Sequence, residues 1–275
     1  MCIEPMNTFS QSADPRISLI FVNYQSAKFL NKALDSLFSL EQAGVSFEVI
    51  IVNNDASESV ALQALRQAYP ILLIESPGNK GFGQGNNLGA KQARGSLLGF
   101  INPDVVWIEA CLREIERIFA AEPAIGILGM ALLDEEHKPE AWSAGKAPNL
   151  ITLFQNNVFP ARYALCDGNG LSFPDWVSGA ALFIRAPLFS AIGGFDERFF
   201  LYFEDVDLCT AARKRGLSVA RHSAFPLIHL RGQSQRSVRD QKKHFYDSQR
   251  AYFSKHRPVW ENKVLRCLRF FSHKP

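Results

Sequence analysis

Apolar residues along the first half of the chain fall in short blocks separated by amphipathic stretches. Residues 17–22 (ISLIFV), 47–52 (FEVIIV), 71–74 and 97–101 are brief, rich in β-branched side chains and nearly uninterrupted. That is the pattern of strands buried on both faces. Between the first two, Leu30, Ala33, Leu34, Leu37 and Phe38 recur at helical spacing behind Ser26, a candidate N-cap. Ser57 and Ser59 precede a second helical stretch through Leu62, Leu65 and Ala68. The pattern predicts further helices over 86–94 and 111–121, and a fifth strand over 125–133. It then breaks down between 134 and 175, where Pro, Gly, Asn and scattered aromatics suggest an irregular insertion. Regular structure is expected again over 176–184, with helices over 205–215 and 239–253.

Strands and helices that alternate through short connections imply an α/β fold, with a mostly parallel sheet flanked by helices. Such sheets bind ligands beyond the carboxyl ends of their strands. The polar groups at those ends are Asn23-Tyr24, Asn53-Asn54-Asp55, the run Asn79 to Gly89, and Asn102-Pro103-Asp104.

Four constellations could carry chemistry. After the fourth strand, Pro103 ends the extended chain and exposes Asp104, whose carboxylate could hold Mg²⁺ or Mn²⁺ beside a diphosphate. A plain Asn-Pro-Asp turn fits the same tripeptide. The run NKGFGQGNNLG, with Asn79, Gly81, Phe82, Gly85 and Asn86, lacks the dinucleotide fingerprint spacing. A Gly-rich loop opening a helix could still meet nucleotide groups with its amides, or simply be a tight, capped loop. Further on, Glu204, Asp205 and Asp207 follow a run of aromatics. Apolar surroundings raise carboxylate pKa values and suit a base, whereas a helix N-terminus favours the anion, and capping acids would look alike. His229 could bind a metal and Arg231 a phosphate, although a lone histidine is more often structural.

Composition narrows the setting. Five scattered cysteines without a CxxC pair fit a reducing cytoplasm. No segment approaches the ~20 apolar residues of a membrane span. Residues 1–15 lack a signal-peptide layout and are read as a flexible lead-in. Residues 16–235 form the main domain, and 236–275 a basic, aromatic helical extension. From Arg231 to Pro275 there are twelve Lys/Arg against three Asp/Glu, whereas the preceding chain has eighteen against twenty-four. Such a tail could meet anionic lipid through Lys242, Lys243, Arg250, Lys255, Arg266 and Arg269, or be a solvated helix face. The expected location is cytoplasmic, with the tail a candidate contact to the inner face of the plasma membrane. No nucleic-acid partner is expected.

Taken in order, ISLIFVNYQS, VIIVNNDAS, NKGFGQGNNLG, GFINPDV, VSGAALFIR, IGGFDERFFLYFEDVDLC and HLRGQS resemble the family 2 glycosyltransferases, in particular their rhamnosyltransferase-like branch. The resemblance spans residues 17–256. It implies a GT-A fold with a Rossmann-like nucleotide-binding half and an acceptor-binding half. It implies inverting transfer from a nucleoside-diphosphate sugar, dTDP- or UDP-linked, to a saccharide or lipid-linked saccharide in cell-surface polysaccharide synthesis. It maps Asp104 onto the last acid of the metal-binding motif, with Asn102 in place of the first. The Glu204-Asp205 pair maps onto the motif that supplies the general base, Asp205 preferred. His229 maps onto a position associated with the metal or diphosphate, and Trp176 to Ala180, including Gly179, onto the acceptor side. Asn53 stands where many relatives carry Asp near the nucleobase, and Asp55 could substitute. A nucleotide-sugar-binding protein without transferase activity, favoured by Asn53 and Asn102, is the alternative. A sugar nucleotidyltransferase fits less well, because no phosphate loop follows the first strand.

Overall fold

The computed structural model describes residues 14–41, 44–140, 143–158, 170–230 and 238–272. β1 (Ile17–Asn23) leads through α1 (Ala27–Leu40), β2 (Phe47–Asn53), a 3-10 turn (Ala56–Glu58) and α2 (Ser59–Ala68) to β3 (Ile71–Glu75). α3 (Phe82–Ala90), β4 (Leu97–Ile101), β5 (Val105–Val106), α4 (Leu112–Ala121) and β6 (Ile125–Leu133) follow. Next come β7 (Ala144–Gly145), α5 (Leu150–Val158), β8 (Leu171–Ser172), β9 (Trp176–Val177), β10 (Ala181–Arg185) and α6 (Ala186–Ile192). α7 (Glu204–Arg213), β11 (Ser218–His229), α8 (Val238–His256) and α9 (Val259–Ser272) complete the chain.

The main sheet runs β3-β2-β1-β4-β10-β6-β11-β5, with β8 on β11, and β7 pairs with β9 apart from it. β1 to β4 pair in parallel, and every residue of β1 is buried, as a central strand requires. Side chains alternate across the sheet. Leu19 and Phe21 join a core beneath α1, α2 and α4, whereas Ile20 joins a second core with α6 and α7.

The run of parallel pairing ends at β10. This strand lies antiparallel between β4 and β6, so the 125–133 strand does not neighbour β4. An apolar run such as ALFIR suits a buried strand of either direction, and its partners are remote in sequence.

Two local expectations also change. Ser26 occupies the N-cap position of α1, but its hydroxyl donates to Asn23 Oδ1 at 2.9 Å instead of capping the helix. Glu58, from the turn after β2, accepts the Ser26 and Ala27 amides at 2.9 and 3.3 Å. A carboxylate there satisfies two orphan donors and complements the helix dipole. The helix expected over 86–94 is α3, which begins four residues earlier, inside the Gly-rich run.

The basic C-terminal helices pack against the body. Tyr252, Phe253 and Leu265 are buried with Phe199, Phe203 and Val206 in a third core. Lys255 and His256 bind the Asp207 carboxylate at 2.8 and 2.6 Å. Lys255 also meets the Asp196 carboxylate, at 2.7 Å, so its charge is paired with two acids on the body.

Candidate active site

The polar groups expected at strand ends do assemble at one edge of the sheet, but they differ in what they have left to offer. Asn23 and Asn53 are register partners at the ends of β1 and β2 and are fully buried. Asn23 Nδ2 donates to Asn53 Oδ1 at 3.1 Å and Glu58 Oε2 at 2.9 Å. Asn53 Nδ2 donates to Glu75 at 2.7 Å and Ser59 at 3.2 Å, and its Oδ1 accepts the Asp55 amide at 3.0 Å. These bonds occupy both side-chain amides and hold the strand ends together. Tyr24 and Asp55 stay half-buried beside them. The Ser57 hydroxyl and amide hold the Asp55 carboxyl below its ordinary value, so it is an ionised acceptor at this edge.

The glycines of the 79–89 run serve packing more than ligand approach. A Cβ at Gly85 would lie 2.7 Å from Val22 Cγ1, and one at Gly89 2.5 Å from Ile20 Cγ2. These two positions lie on one face of α3 and let it lie against β1. Gly81, with φ +105°, brings the chain against Phe200, and the Phe82 amide donates to Phe200 O at 3.0 Å. Asn79 Oδ1 accepts the Gly81 amide at 3.0 Å. Asn54 Oδ1, Gln84 Oε1 and Asn86 Oδ1 are buried acceptors without a protein partner among the described residues. Buried acceptors of this kind call for N–H or O–H donors, as a base, a ribose or water would offer, and not for phosphate oxygens.

The Asn102-Pro103-Asp104 turn closes through the Val105 amide on Asn102 O at 3.1 Å. β5, directly after it, pairs with the end of β11 in the register Val105↔His229. That pairing brings His229 Nε2 within 3.3 Å of Asp104 Oδ1 and 3.4 Å of Asn102 Nδ2. On the other side of the ring, Nδ1 lies 2.9 Å from Glu140 Oε2. Burial disfavours the imidazolium, but the Asp104 and Glu140 carboxylates outweigh it and lift His229 to about 9. A carboxylate and an imidazole side by side, with a second carboxylate holding the far ring nitrogen, fit an Mg²⁺ or Mn²⁺ site of low protein content. Among the described residues no group of three His, Cys, Asp or Glu side chains could hold a metal ion. Asp104 and His229 would supply at most two ligands, so a cation there would need a diphosphate or water to complete its shell.

The acidic pair opens α7 after two successive non-glycine residues in the left-handed region, Tyr202 (φ 70°) and Phe203 (φ 66°). Such backbone is costly and persists where the surroundings enforce it. Glu204 is buried and its Oε2 has no partner among the described residues. Burial first, then the Asp205 charge, push its carboxyl well up. Burial also raises Asp205, but the Gly179 and Val206 amides, at 2.8 and 2.7 Å, stabilise its anion. Of the two, Asp205 is therefore the carboxyl whose anion the surrounding amides stabilise.

Gly179 and Ala180 connect the two halves. The Gly179 amide donates to Asp205, while Ala180 O accepts the Asn102 amide at 2.9 Å. A Cβ at Gly179 would stand 3.2 Å from the Phe82 ring and 3.4 Å from Asp205 Cβ. Trp176, just upstream, is half-buried, with its indole N–H on Lys146 O at 3.0 Å. Arg231 lies outside the described residues.

Sequence reasoning missed Glu58, Glu75 and Glu140. Each is a solitary acid whose partner is remote in sequence. Only the positional logic of an N-cap could have hinted at the first.

Comparison with known proteins identifies the family and the fold. The family model described as Glycosyl transferase family 2 matches residues 18–187, and the chain belongs to that family. The N-acetylglucosaminyl-diphospho-decaprenol L-rhamnosyltransferase of Mycobacterium tuberculosis is 29% identical over 237 residues, covering 78% of this chain and 76% of the relative. Rhamnosyltransferase WbbL of Escherichia coli is 25% identical over 232 residues, covering 80% and 86%. Among solved structures, a mannosyltransferase from Pyrobaculum calidifontis, in complex with GDP-Man and Mn²⁺, superposes with a TM-score of 0.62 at 14% identity. It is matched over 89% of this chain and 65% of its own. The fold is GT-A. Family 2 enzymes transfer sugars from nucleotide-sugar donors with inversion.

Proposed function

We propose that this chain is a rhamnosyltransferase-like enzyme that uses a dTDP- or UDP-linked donor and a lipid-linked saccharide acceptor. In this reading residues 16–235 carry catalysis, and residues 236–275 support it from the inner face of the membrane. The names of the two relatives, both rhamnosyltransferases and one of them specific for a diphospho-decaprenol lipid, support sugar and acceptor.

The observation that carries the mechanism is the junction at Gly179-Ala180, which ties the Asp205 carboxylate to the Asn102-Asp104 turn. The acceptor hydroxyl approaches along the strand Trp176–Val177. Asp205 takes its proton as the oxygen attacks the anomeric carbon on the face opposite the diphosphate. Base help of this kind contributes about 10²–10⁴-fold. Burial and the Asp205 charge both disfavour ionisation of Glu204, the deeper of the two acids. Tyr24, Asp55, Asn79, Phe82 and Asn86 line the nucleotide side, with Asn23 and Asn53 fixing the strand ends. Asp104 and His229 would hold an Mg²⁺ or Mn²⁺ ion, and that ion would stabilise the departing diphosphate as a Lewis acid.

Asp205→Asn should retain donor binding and lose roughly 10²-fold or more in turnover. Asp104→Ala should weaken cation-dependent donor binding. Donor affinity by calorimetry, with turnover followed as nucleotide release, separates the two. In the wild type, the low-pH limb of turnover should lie above the range of an exposed aspartate, because burial raises Asp205. Wild-type turnover by Asp205→Asn would remove it as the base. Donor binding with neither transfer nor hydrolysis in the wild type would favour a binding protein.

A further inference from the structure

Two exposed apolar strips adjoin the acceptor side. On α5, Ile151 and Phe154 are 69% and 68% exposed. On α9, Val259, Trp260 and Val264 are 71%, 60% and 39% exposed. Residues 151 and 154 lie one turn apart, as do 260 and 264, so each pair shares a helix face. The opposite face of α9 is buried through Glu261 and Leu265, so the exposed strip is not its packing surface. The two helices meet where the Leu150 amide donates to Glu261 Oε2 at 3.3 Å. Leu150 and Leu153, on the inner side of α5, pack with Trp176 against the core that contains Phe203 and Val206. The outward strips therefore sit behind the same strand that leads through Gly179 to Asp205.

We propose that these strips form a docking face for an anionic bilayer. Charge selects this occupant over a second protein copy. Lys263 is exposed on α9 between Val259 and Trp260 around the helix, Arg266 is exposed just beyond Val259, and the chain from Arg231 onward holds twelve cations against three acids. Two copies meeting through such a surface would oppose like charges, whereas anionic headgroups would neutralise them. A tryptophan flanked by cations and aliphatic side chains suits the headgroup boundary. No described helix is long and apolar enough to cross a membrane, so contact would be superficial. The inference rests on the lipid-linked acceptor reading: docking there would turn the acceptor strand toward the surface that holds such a lipid.

The test is sedimentation of the full chain with vesicles of phosphatidylcholine alone or mixed with phosphatidylglycerol, without acceptor. The wild type should bind the mixed vesicles, more weakly at high salt, and lipids brominated near the headgroup should quench Trp260. Lys263→Gln and Arg266→Gln should each weaken binding roughly fivefold. The pair Phe154→Ser with Trp260→Ser should weaken it about tenfold or more. All these residues are exposed, and unchanged melting together with unchanged nucleotide release from the donor in transfer to a water-soluble acceptor confirms that the variants are folded. Equal sedimentation of wild type and variants would overturn the proposal. A dimer abolished by Phe154→Ser and Trp260→Ser, in a chain that ignores vesicles, would overturn it in favour of a second copy. Vesicle binding by a chain that transfers only to soluble saccharides would sink the lipid-acceptor reading and leave the docking face intact.

Discussion

Glu140 illustrates how far a single residue can matter without touching a substrate. Its carboxylate lies 2.9 Å from His229 Nδ1 and leaves Nε2 directed at Asp104. Outer-shell carboxylates of this kind orient a ligand imidazole and raise its basicity, and losing one typically costs 10–100-fold in metal affinity. Glu140→Gln should therefore weaken Mn²⁺ binding about tenfold in the presence of a nucleoside diphosphate, with little change in melting temperature. Calorimetric titration of the cation checks this, and unchanged affinity would show that His229 is no ligand. Residue by residue, legibility follows distance along the chain. Asp104 and Glu204-Asp205 were visible because each stands in a short motif. Glu140 was not, because its partner is 89 positions away and only the β5–β11 pairing brings His229 back to the Asp104 turn. Asn53 was visible as a polar residue at a strand's end, but its partners Glu75 and Ser59 were not, because they lie 22 and 6 positions away.

Elements reveal themselves through periodicity, and α3 shows where that signal fails. Three glycines in the run 81–85 argue for a loop on propensity, since glycine costs about 1 kcal/mol in a helix interior. The structure forms the helix anyway, because contact with the sheet replaces propensity. Ile20 fills the place that a Cβ at Gly89 would need. Gly89→Ala should therefore destabilise the protein, although alanine is the better helix former. Overpacking costs typically 1–3 kcal/mol, so the net loss expected in urea unfolding is roughly 1–2 kcal/mol. A gain in stability would mean that α3 rides higher above β1 than the contacts indicate. The buried strands were legible for the opposite reason. Their apolar runs are long enough to identify without partners, but such runs say nothing of direction, and β10 was free to enter the sheet antiparallel.

Across the whole molecule, the C-terminal helices look like a tail in composition and behave as part of the catalytic body. Asp207, two residues beyond Asp205, is held by Lys255 and His256, and Lys255 also reaches Asp196 at 2.7 Å. The α7 face that carries the acidic pair is thereby braced from α8. The brace has a testable pH signature. The Arg198 guanidinium, then Lys255, hold the Asp196 carboxyl well below the usual carboxylate range. A group whose folded pKa is depressed stabilises the fold fully above its unfolded value, near 4, and loses that contribution as pH falls toward the folded value. Arg198 is 65% exposed, which screens its share. Asp196→Asn should thus cost about 1 kcal/mol at pH 7. The gap to wild type should stay constant down to about pH 5 and narrow below about pH 4. Urea unfolding of both proteins across that range measures it. A gap that widened toward acid would contradict an ionised Asp196, and no gap at pH 7 would mean that Asp207 alone binds Lys255 and carries the brace.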